Sequence, residues 1–318
     1  MTGVRETTYD FRVTTQSNSE KKLLTVKERF ADYLPTFLEK SKVASAVSHD
    51  SVFQQANPAT RELVNRIVDS LMLPGSRLIG FEHLKELAER SRAGESCLIV
   101  MEHYSNFDLP CLQTLLQREG EEGEAIAEQI VAMAGAKLNE ENRLVKAFTE
   151  SFTRIVIYPS RALRAITDPE VYARERTRSK AINMSALREM VRRKNSGHII
   201  LVFPAGTRYR ADKPESSRGL PEIDSYMKQF DYICPVGIAG NTLLVNPSGD
   251  MSEDWPQEDV MVYKAGELID SRAFRSKARE ACPPDAEPKQ YVVDRLMDRL
   301  SQLHGEVESV RAAALRNG

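Results

Sequence analysis

The stretch "CLIVMEHYSNFD" (residues 97–108) joins an apolar run to a polar turn. A short, uninterrupted apolar run is typical of a strand that is buried on both faces of a sheet. The residues that follow such a strand lie at the edge of the sheet, where open α/β sheets bind their ligands. The stretch therefore predicts a central strand with a polar site at its end.

His103 and Asp108 lie in the predicted site. Residues five apart on one helix face about 140° apart, so this pair makes contact only if the chain turns between them. Ser105 and Asn106 favour such a turn. The pair is predicted to be a general base and the carboxylate that orients it. A surface histidine and a helix-capping aspartate are the alternative.

Other short runs rich in Ile and Val predict further strands on both sides of this one. They are "RLIGF" (77–81), "RIVIY" (154–158), "HIILVF" (198–203), "YICPVGI" (232–238) and "DVMVYKAG" (259–266). Helical patterns are found at residues 109–118, 125–132, 180–193 and 288–315. Strands that alternate with helices predict an α/β fold with a mixed, mainly parallel sheet flanked by helices.

The N-terminal part of the chain has a different pattern. Residues 20–72 carry apolar residues at spacings of three and four, which predicts helices. The expected organisation is a flexible tail (1–18), a helical bundle (19–75) and an α/β domain with C-terminal helices (76–318).

Composition limits the class of protein. The chain has 318 residues, of which 41% are hydrophobic, and its longest apolar runs are about five residues, whereas a membrane span requires roughly 20. The N-terminus contains acids and no apolar segment, so it does not resemble a signal peptide. These features predict a cytoplasmic protein that at most touches a membrane surface.

Charge and cysteines exclude other classes. The net charge of -2 does not suggest nucleic acid as a partner. The four cysteines are widely spaced, and Cys97 and Cys234 fall in apolar runs, so we expect buried thiols and neither a metal site nor a disulfide framework. Residues 161–194 contain ten basic and four acidic residues, a balance of +6. Such a run is either a solvated helix face or a surface for an anionic partner.

A second polar stretch, "HIILVFPAGTRYRADKP" (198–214), also follows an apolar run. Its Pro-x-Gly turn lets the backbone bend and exposes amides near Gly206. Arg208 and Arg210 can converge on a phosphate if the chain is irregular there; two solvated arginines are the alternative. The sequence contains no G-x-S-x-G elbow, G-x-G-x-x-G or P-loop, which weakens serine-hydrolase and nucleotide-enzyme interpretations.

Both stretches resemble motifs of the glycerolipid acyltransferase family. "HYSNFD" resembles its H-x-x-x-x-D motif and "FPAGTR" its F-P-E-G-T-R motif, with Ala205 in place of the glutamate. Lesser similarities are "GFEHL" (80–84), "CPVGIAG" (234–240) and "VYKAGELI" (262–269), so the resemblance covers roughly residues 77–270. Within the family, residues 168–214 are most similar to the soluble glycerol-3-phosphate 1-acyltransferases of the plastid stroma type.

The resemblance implies an enzyme that moves a fatty acyl group from acyl carrier protein or coenzyme A to the sn-1 hydroxyl of glycerol 3-phosphate, without a cofactor. His103 is then the base and Asp108 fixes its tautomer. The phosphate-binding candidates are Arg208, Arg210, Arg161 and Arg164; those for the oxyanion are amides near Gly206 and Thr207, and those for donor steering are Arg192 and Arg193. Lysophosphatidate is the alternative acceptor, and a catalytically silent protein that binds anionic lipid is the alternative function. The absence of a long apolar segment favours the smaller acceptor.

Overall fold

The computed structural model describes residues 23–41, 48–136, 143–248 and 250–317. The predicted tail at residues 1–18 lies outside these ranges. The strands of the described residues are β1 (Phe53–Gln54), β2 (Arg77–Ile79), β3 (Cys97–Met101), β4 (Ile130–Gly135), β5 (Arg154–Ile157), β6 (Ile199–Val202), β7 (Tyr232–Ala239), β8 (Leu243–Leu244), β9 (Trp255–Pro256), β10 (Val262–Ala265) and β11 (Ile269–Asp270).

The main sheet has the strand order β1-β5-β4-β6-β3-β7-β10-β2, and β11 pairs with β7. Its centre is parallel from β5 to β7. Antiparallel pairs join β1 to β5 and both β10 and β11 to β7. The sheet is therefore mixed and mainly parallel, as predicted, and the carboxyl ends of β5, β4, β6 and β3 lie at one edge.

Helices cover both faces of this sheet. They are α1 (Val26–Arg29), α2 (Leu34–Lys40), α3 (Pro58–Leu71), α4 (Phe81–Arg92), α5 (Asp108–Arg118), α6 (Glu121–Gln129), α7 (Arg143–Thr149), α8 (Ser160–Arg164), α9 (Pro169–Lys194), α10 (Glu222–Met227), α11 (Ser271–Glu280) and α12 (Pro288–Asn317). No helix among the described residues is both long and apolar enough to cross a membrane.

The central strand β3 shows why both faces must be covered. All five of its residues are buried. Because side chains alternate along a strand, Ile99 packs into a core with helices α3 to α6, whereas Leu98 packs into a second core with α9 to α12. The cysteines of the strands are buried in the same way. Burial raises the pKa of the Cys97 thiol to about 12.

The N-terminal helices share the first of these two cores. Phe37 of α2 and Ile67 of α3 belong to the same apolar cluster as Ile99 of β3. The short strand β1 in this part of the chain pairs with β5 of the main sheet. The predicted domain boundary near residue 75 stays a prediction.

Three predicted boundaries are corrected by the structure. The helix expected at 125–132 ends at Gln129, and β4 begins at Ile130 because its apolar residues fill the position between β5 and β6. The helix expected from residue 180 begins at Pro169, where the Asp168 carboxylate accepts hydrogen bonds from two backbone amides. The strand expected at 77–81 ends at Ile79.

Candidate active site

The two polar loops meet at the carboxyl edge of the sheet. His103 follows β3 and Phe203 follows β6, and these two strands are parallel neighbours. The imidazole of His103 stacks on the Phe203 ring with a centroid distance of 3.9 Å and an interplanar angle of 18°. The Tyr209 amide donates to the His103 carbonyl at 2.7 Å. The loop 203–210 therefore covers the histidine directly.

His103 and Asp108 are brought together as predicted. The His103 Nδ1 to Asp108 Oδ2 distance is 2.8 Å, and the aspartate is 1% exposed. Oδ2 also accepts from the amides of Tyr104 (2.6 Å) and Ser105 (2.9 Å), and Oδ1 accepts from the Ser105 hydroxyl (3.1 Å). Asp108 is also the first residue of α5, where the helix dipole stabilises negative charge.

This geometry fixes the tautomer of the histidine. A carboxylate only accepts hydrogen bonds, so Nδ1 carries the hydrogen that is shared with Asp108. Nε2 is then the ring nitrogen that is left as a proton acceptor. The His103 side chain is 16% exposed, which leaves its outer part accessible at the edge of the sheet.

Tyr263 supports Asp108 from the neighbouring part of the sheet. Its hydroxyl donates to the Asp108 carbonyl at 3.0 Å, and its side chain is fully buried on β10. Burial raises the pKa of Tyr263, so the phenol stays a donor. Sequence reasoning missed both Tyr263 and Phe203; each lies in a predicted strand, but the strand pattern does not indicate contact with the site.

Each predicted phosphate-binding arginine of the second loop has a carboxylate partner. Arg208 forms an ion pair with the fully buried Asp254. Burial raises the pKa of Asp254, although the charge of Arg208 partly opposes this shift. Arg210 binds both oxygens of Asp212 at 3.0 Å, and this bidentate bond raises the pKa of the arginine. Asp254 is a third residue that sequence reasoning missed.

The other two phosphate-binding candidates differ in position. Nη2 of Arg161 donates to the Ala205 carbonyl at 3.4 Å, which brings this guanidinium to the second loop. Nη2 of Arg164 instead contacts the Ser160 hydroxyl of its own helix at 3.3 Å. Both arginines are on α8. The guanidinium of Arg161 reaches the second loop, whereas that of Arg164 stays on its own helix.

Gly206 shapes the loop but its amide is already used. Its φ of 63° lies in the left-handed region, and an added Cβ would approach Leu220 to 2.7 Å. Its amide donates to the Phe203 carbonyl at 2.9 Å, and the oxyanion role of the amides near Gly206 stays a prediction. The Thr207 amide makes no hydrogen bond within the described part of the chain, which keeps Thr207 as a candidate.

Arg192 and Arg193 lie at the opposite edge of the sheet from His103, so their predicted place beside the cleft is wrong. Asn183 of α9 bonds to both backbone groups of Tyr158, just beyond the carboxyl end of β5. Ten residues later, about 15 Å along the helix, the Arg193 guanidinium lies over the ring of Phe53, which pairs with Ile155 of β5. Both arginines bind Glu189 there.

An apolar cavity of about 60 Å³ adjoins the first loop. Asn106 and Phe107 of that loop line it, and Phe107 stacks on Phe148 with a centroid distance of 5.7 Å. Met251 and Ser252 also line it, and they stand three and two residues before Asp254, the partner of Arg208. The cavity therefore lies between the histidine loop and the segment that holds an arginine of the second loop.

Known families and solved structures include proteins that are similar to this chain. The chain is similar to the solved 1-acyl-sn-glycerophosphate (LPA) acyltransferase of Thermotoga maritima, with 18% identity, 77% of this chain and 78% of that chain covered, and a TM-score of 0.40. No curated protein matches the chain. The family model described as Acyltransferase matches residues 83–239, and these residues include both site loops.

Proposed function

We propose that the protein transfers a fatty acyl group from an acyl thioester to the sn-1 hydroxyl of glycerol 3-phosphate, which yields lysophosphatidate. The observation that carries the proposal is the His103–Asp108 pair, bonded at 2.8 Å and covered by the loop that bears Arg208 and Arg210. A base next to guanidinium groups suits an acceptor that has both a hydroxyl and a phosphate.

The proposed reaction uses His103 twice. Nε2 removes the proton of the acceptor hydroxyl while Asp108 stabilises the imidazolium that forms. The oxygen attacks the thioester carbonyl, and the tetrahedral intermediate collapses with loss of the thiolate. The thiolate then takes the proton from Nε2–H, so the histidine returns to its starting state and the products are an ester and a thiol.

The arginines would bind the phosphate through N–H groups other than those that hold the carboxylates, since a guanidinium has five. Arg208 and Arg210 each face a carboxylate, and a phosphate dianion offers the same type of acceptor with more charge. The Arg161 guanidinium is held at the Ala205 carbonyl of the same loop. The two carboxylates keep the guanidinium groups oriented when the acceptor is absent.

The apolar cavity next to Phe107 supports the acyl part of the proposal. Its lining is mainly aromatic and aliphatic, with Phe148, Phe152 and Leu243 among the side chains. Burial of each methylene of an acyl chain contributes about 0.8 kcal/mol. Its position against the histidine loop would place a bound chain close to the base.

The acceptor is tested by offering the purified protein glycerol 3-phosphate and lysophosphatidate separately, each with one acyl thioester, and identifying the products. We expect acylation of glycerol 3-phosphate, because residues 168–214 resemble the soluble enzymes that use it. Acylation of lysophosphatidate alone would replace the acceptor and retain the acyl transfer. Absence of thiol release with both acceptors would favour a silent protein that binds anionic lipid.

Replacing Arg210 or Arg161 by alanine should weaken acceptor binding by about 1.5 to 3 kcal/mol, the usual contribution of a charge-assisted hydrogen bond. Arg164→Ala is the matched control, since the hydrogen bond of this arginine is to Ser160 of its own helix. Arg208→Ala is less informative because it would leave the buried Asp254 unpaired. Steady-state kinetics with either substrate varied should show a higher acceptor KM and an unchanged donor KM; equal effects for Arg161 and Arg164 would contradict the assignment.

Donor steering is proposed for the amino-terminal half of α9, which extends past the carboxyl edge of the sheet. Arg176 and Lys180 are exposed there, and acyl carrier protein and coenzyme A are both anionic. Reversing both charges to glutamate should raise the donor KM several-fold, and added salt should reduce the difference from wild type.

The control is Arg188→Glu with Arg192→Glu, two exposed residues at the same spacing, nearer the opposite edge. The net charge changes equally in both double variants. An equal rise in donor KM would therefore show that total charge matters and that position along α9 does not.

A further inference from the structure

An acidic side chain is buried directly before His103. Glu102 is 8% exposed. Its Oε2 accepts from the Ile238 amide at 2.8 Å, and its Oε1 accepts from the Tyr104 hydroxyl at 3.0 Å. A buried carboxylate is unfavourable unless it is paired and hydrogen-bonded. Glu102 therefore requires a further donor.

His304 of α12 contacts this carboxylate, although it lies about 200 residues further along the chain. Its Nδ1 lies 3.3 Å from Glu102 Oε2, 3.1 Å from the Tyr104 hydroxyl and 2.8 Å from the Ile238 carbonyl. A carbonyl only accepts, so Nδ1 carries a hydrogen. Burial lowers the pKa of His304, but the hydrogen bond and charge of Glu102 outweigh this, so the pKa lies above its ordinary value.

Gly237 of β7 lets α12 come this close to the sheet. A Cβ at Gly237 would lie 2.7 Å from the Leu303 Cβ and 3.0 Å from the His304 amide nitrogen. Both approaches are shorter than ordinary van der Waals contact. The helix therefore rests on the backbone of β7, and the position of His304 is fixed by packing.

His304 contacts the side chains of the two residues that flank His103. Glu102 precedes the histidine and Tyr104 follows it. The Tyr104 amide donates to Asp108 Oδ2 at 2.6 Å, so the residue whose hydroxyl faces His304 also binds the orienting carboxylate. The Tyr104 ring meets Tyr209 edge-on at 6.0 Å, and the Tyr209 amide binds the His103 carbonyl.

We propose that His304 is a positioning residue, which holds Glu102 and Tyr104 and thereby sets the His103–Asp108 geometry. It lies outside residues 83–239, which the Acyltransferase family model matches. The expected effect of removing His304 on turnover rests on the proposed function. Its expected effect on the His103–Asp108 hydrogen bond does not.

The test compares His304→Ala, His304→Asn and Tyr104→Phe, with His198→Ala as the control. A misplacement of about 1 Å can reduce a rate 10²-fold, so His304→Ala should lower kcat by about 10- to 100-fold with little change in KM. The asparagine amide can replace Nδ1–H, so His304→Asn should recover most of the activity. The double variant Tyr104→Phe with His304→Ala should lose little more than either single variant, because both act through one network.

A second readout is the ring ¹H–¹⁵N spectrum of histidine-labelled protein, with His103 assigned from a His103→Ala spectrum. In His304→Ala the His103 Nδ1–H signal should shift or exchange faster with water, and in His198→Ala it should not. A folded His304→Ala protein with an unchanged His103 signal would overturn the proposal, whatever its kcat.

The spectrum also separates this proposal from the proposed function. If the wild-type protein transfers no acyl group, the proposed function fails, and the His103 signal still decides the role of His304. If His304→Ala does not fold, Tyr104→Phe decides in its place, because it removes one hydroxyl and keeps the ring. An unchanged His103 signal in a folded Tyr104→Phe protein would then overturn the proposal.

Discussion

Replacing His103 by alanine should abolish most acyl transfer while the protein stays folded. General-base catalysis typically contributes about 10² to 10⁴ in rate. The upper end is expected because the variant lacks both the base and the imidazole that Asp108 orients. The fold should persist because the Asp108 carboxylate still accepts from the amides of Tyr104 and Ser105. The measurement is kcat from thiol release at saturating acceptor and donor.

His49→Ala is the control for this substitution, since the His49 side chain is 60% exposed and lies far along the chain from both loops. It should retain wild-type turnover. A His103→Ala protein with a normal circular dichroism spectrum and near-normal kcat would eliminate the proposed mechanism.

Asp108→Asn should lower kcat by about 10², toward the lower end of the range for acid–base catalysis. Three donors converge on Oδ2, from His103, Tyr104 and Ser105, so the oxygen of an asparagine amide would take that position. The tautomer of His103 would then be retained. The decrease in kcat would arise because the side chain at position 108 no longer carries the negative charge that stabilises the imidazolium. Thermal unfolding should change little.

Asp108→Ala separates charge from hydrogen bonding. It would leave two buried amides without an acceptor, at about 1 to 3 kcal/mol each. Its thermal midpoint should therefore fall well below that of Asp108→Asn, and its kcat should be lower. Equal stability of the two variants would show that the carboxylate does not hold the loop.

Local patterns were sufficient to predict the centre of the fold. The runs that became β3 and β6 are apolar throughout and end in polar turns, so their type and the position of both loops follow from the sequence. The strand at 130–135 was not predicted: residues 125–132 were assigned to a helix, and the Ala and Met residues of this run also favour helices. Only the position between β5 and β6 makes it a strand.

Contacts between distant segments could not be predicted. The basic residues of α9 form one run in the sequence, but a helix of 26 residues is about 39 Å long and reaches from one edge of the sheet to the other. Arg192 therefore lies far from the loop that Arg161 touches. Asp254 and His304 contact the site from segments whose local patterns indicate only a turn and an amphipathic helix.

The distance along the chain between β3 and β6 has a consequence for protein synthesis. Leu98 pairs with Ile200, so about a hundred residues must be made after His103 before Phe203 can stack on it. Domains fold as their segments leave the ribosome, and non-local parallel pairs form slowly. A nascent chain thus carries His103 uncovered for much of its synthesis, and we expect acyl transfer to begin only after residue 304 has emerged and docked on β7.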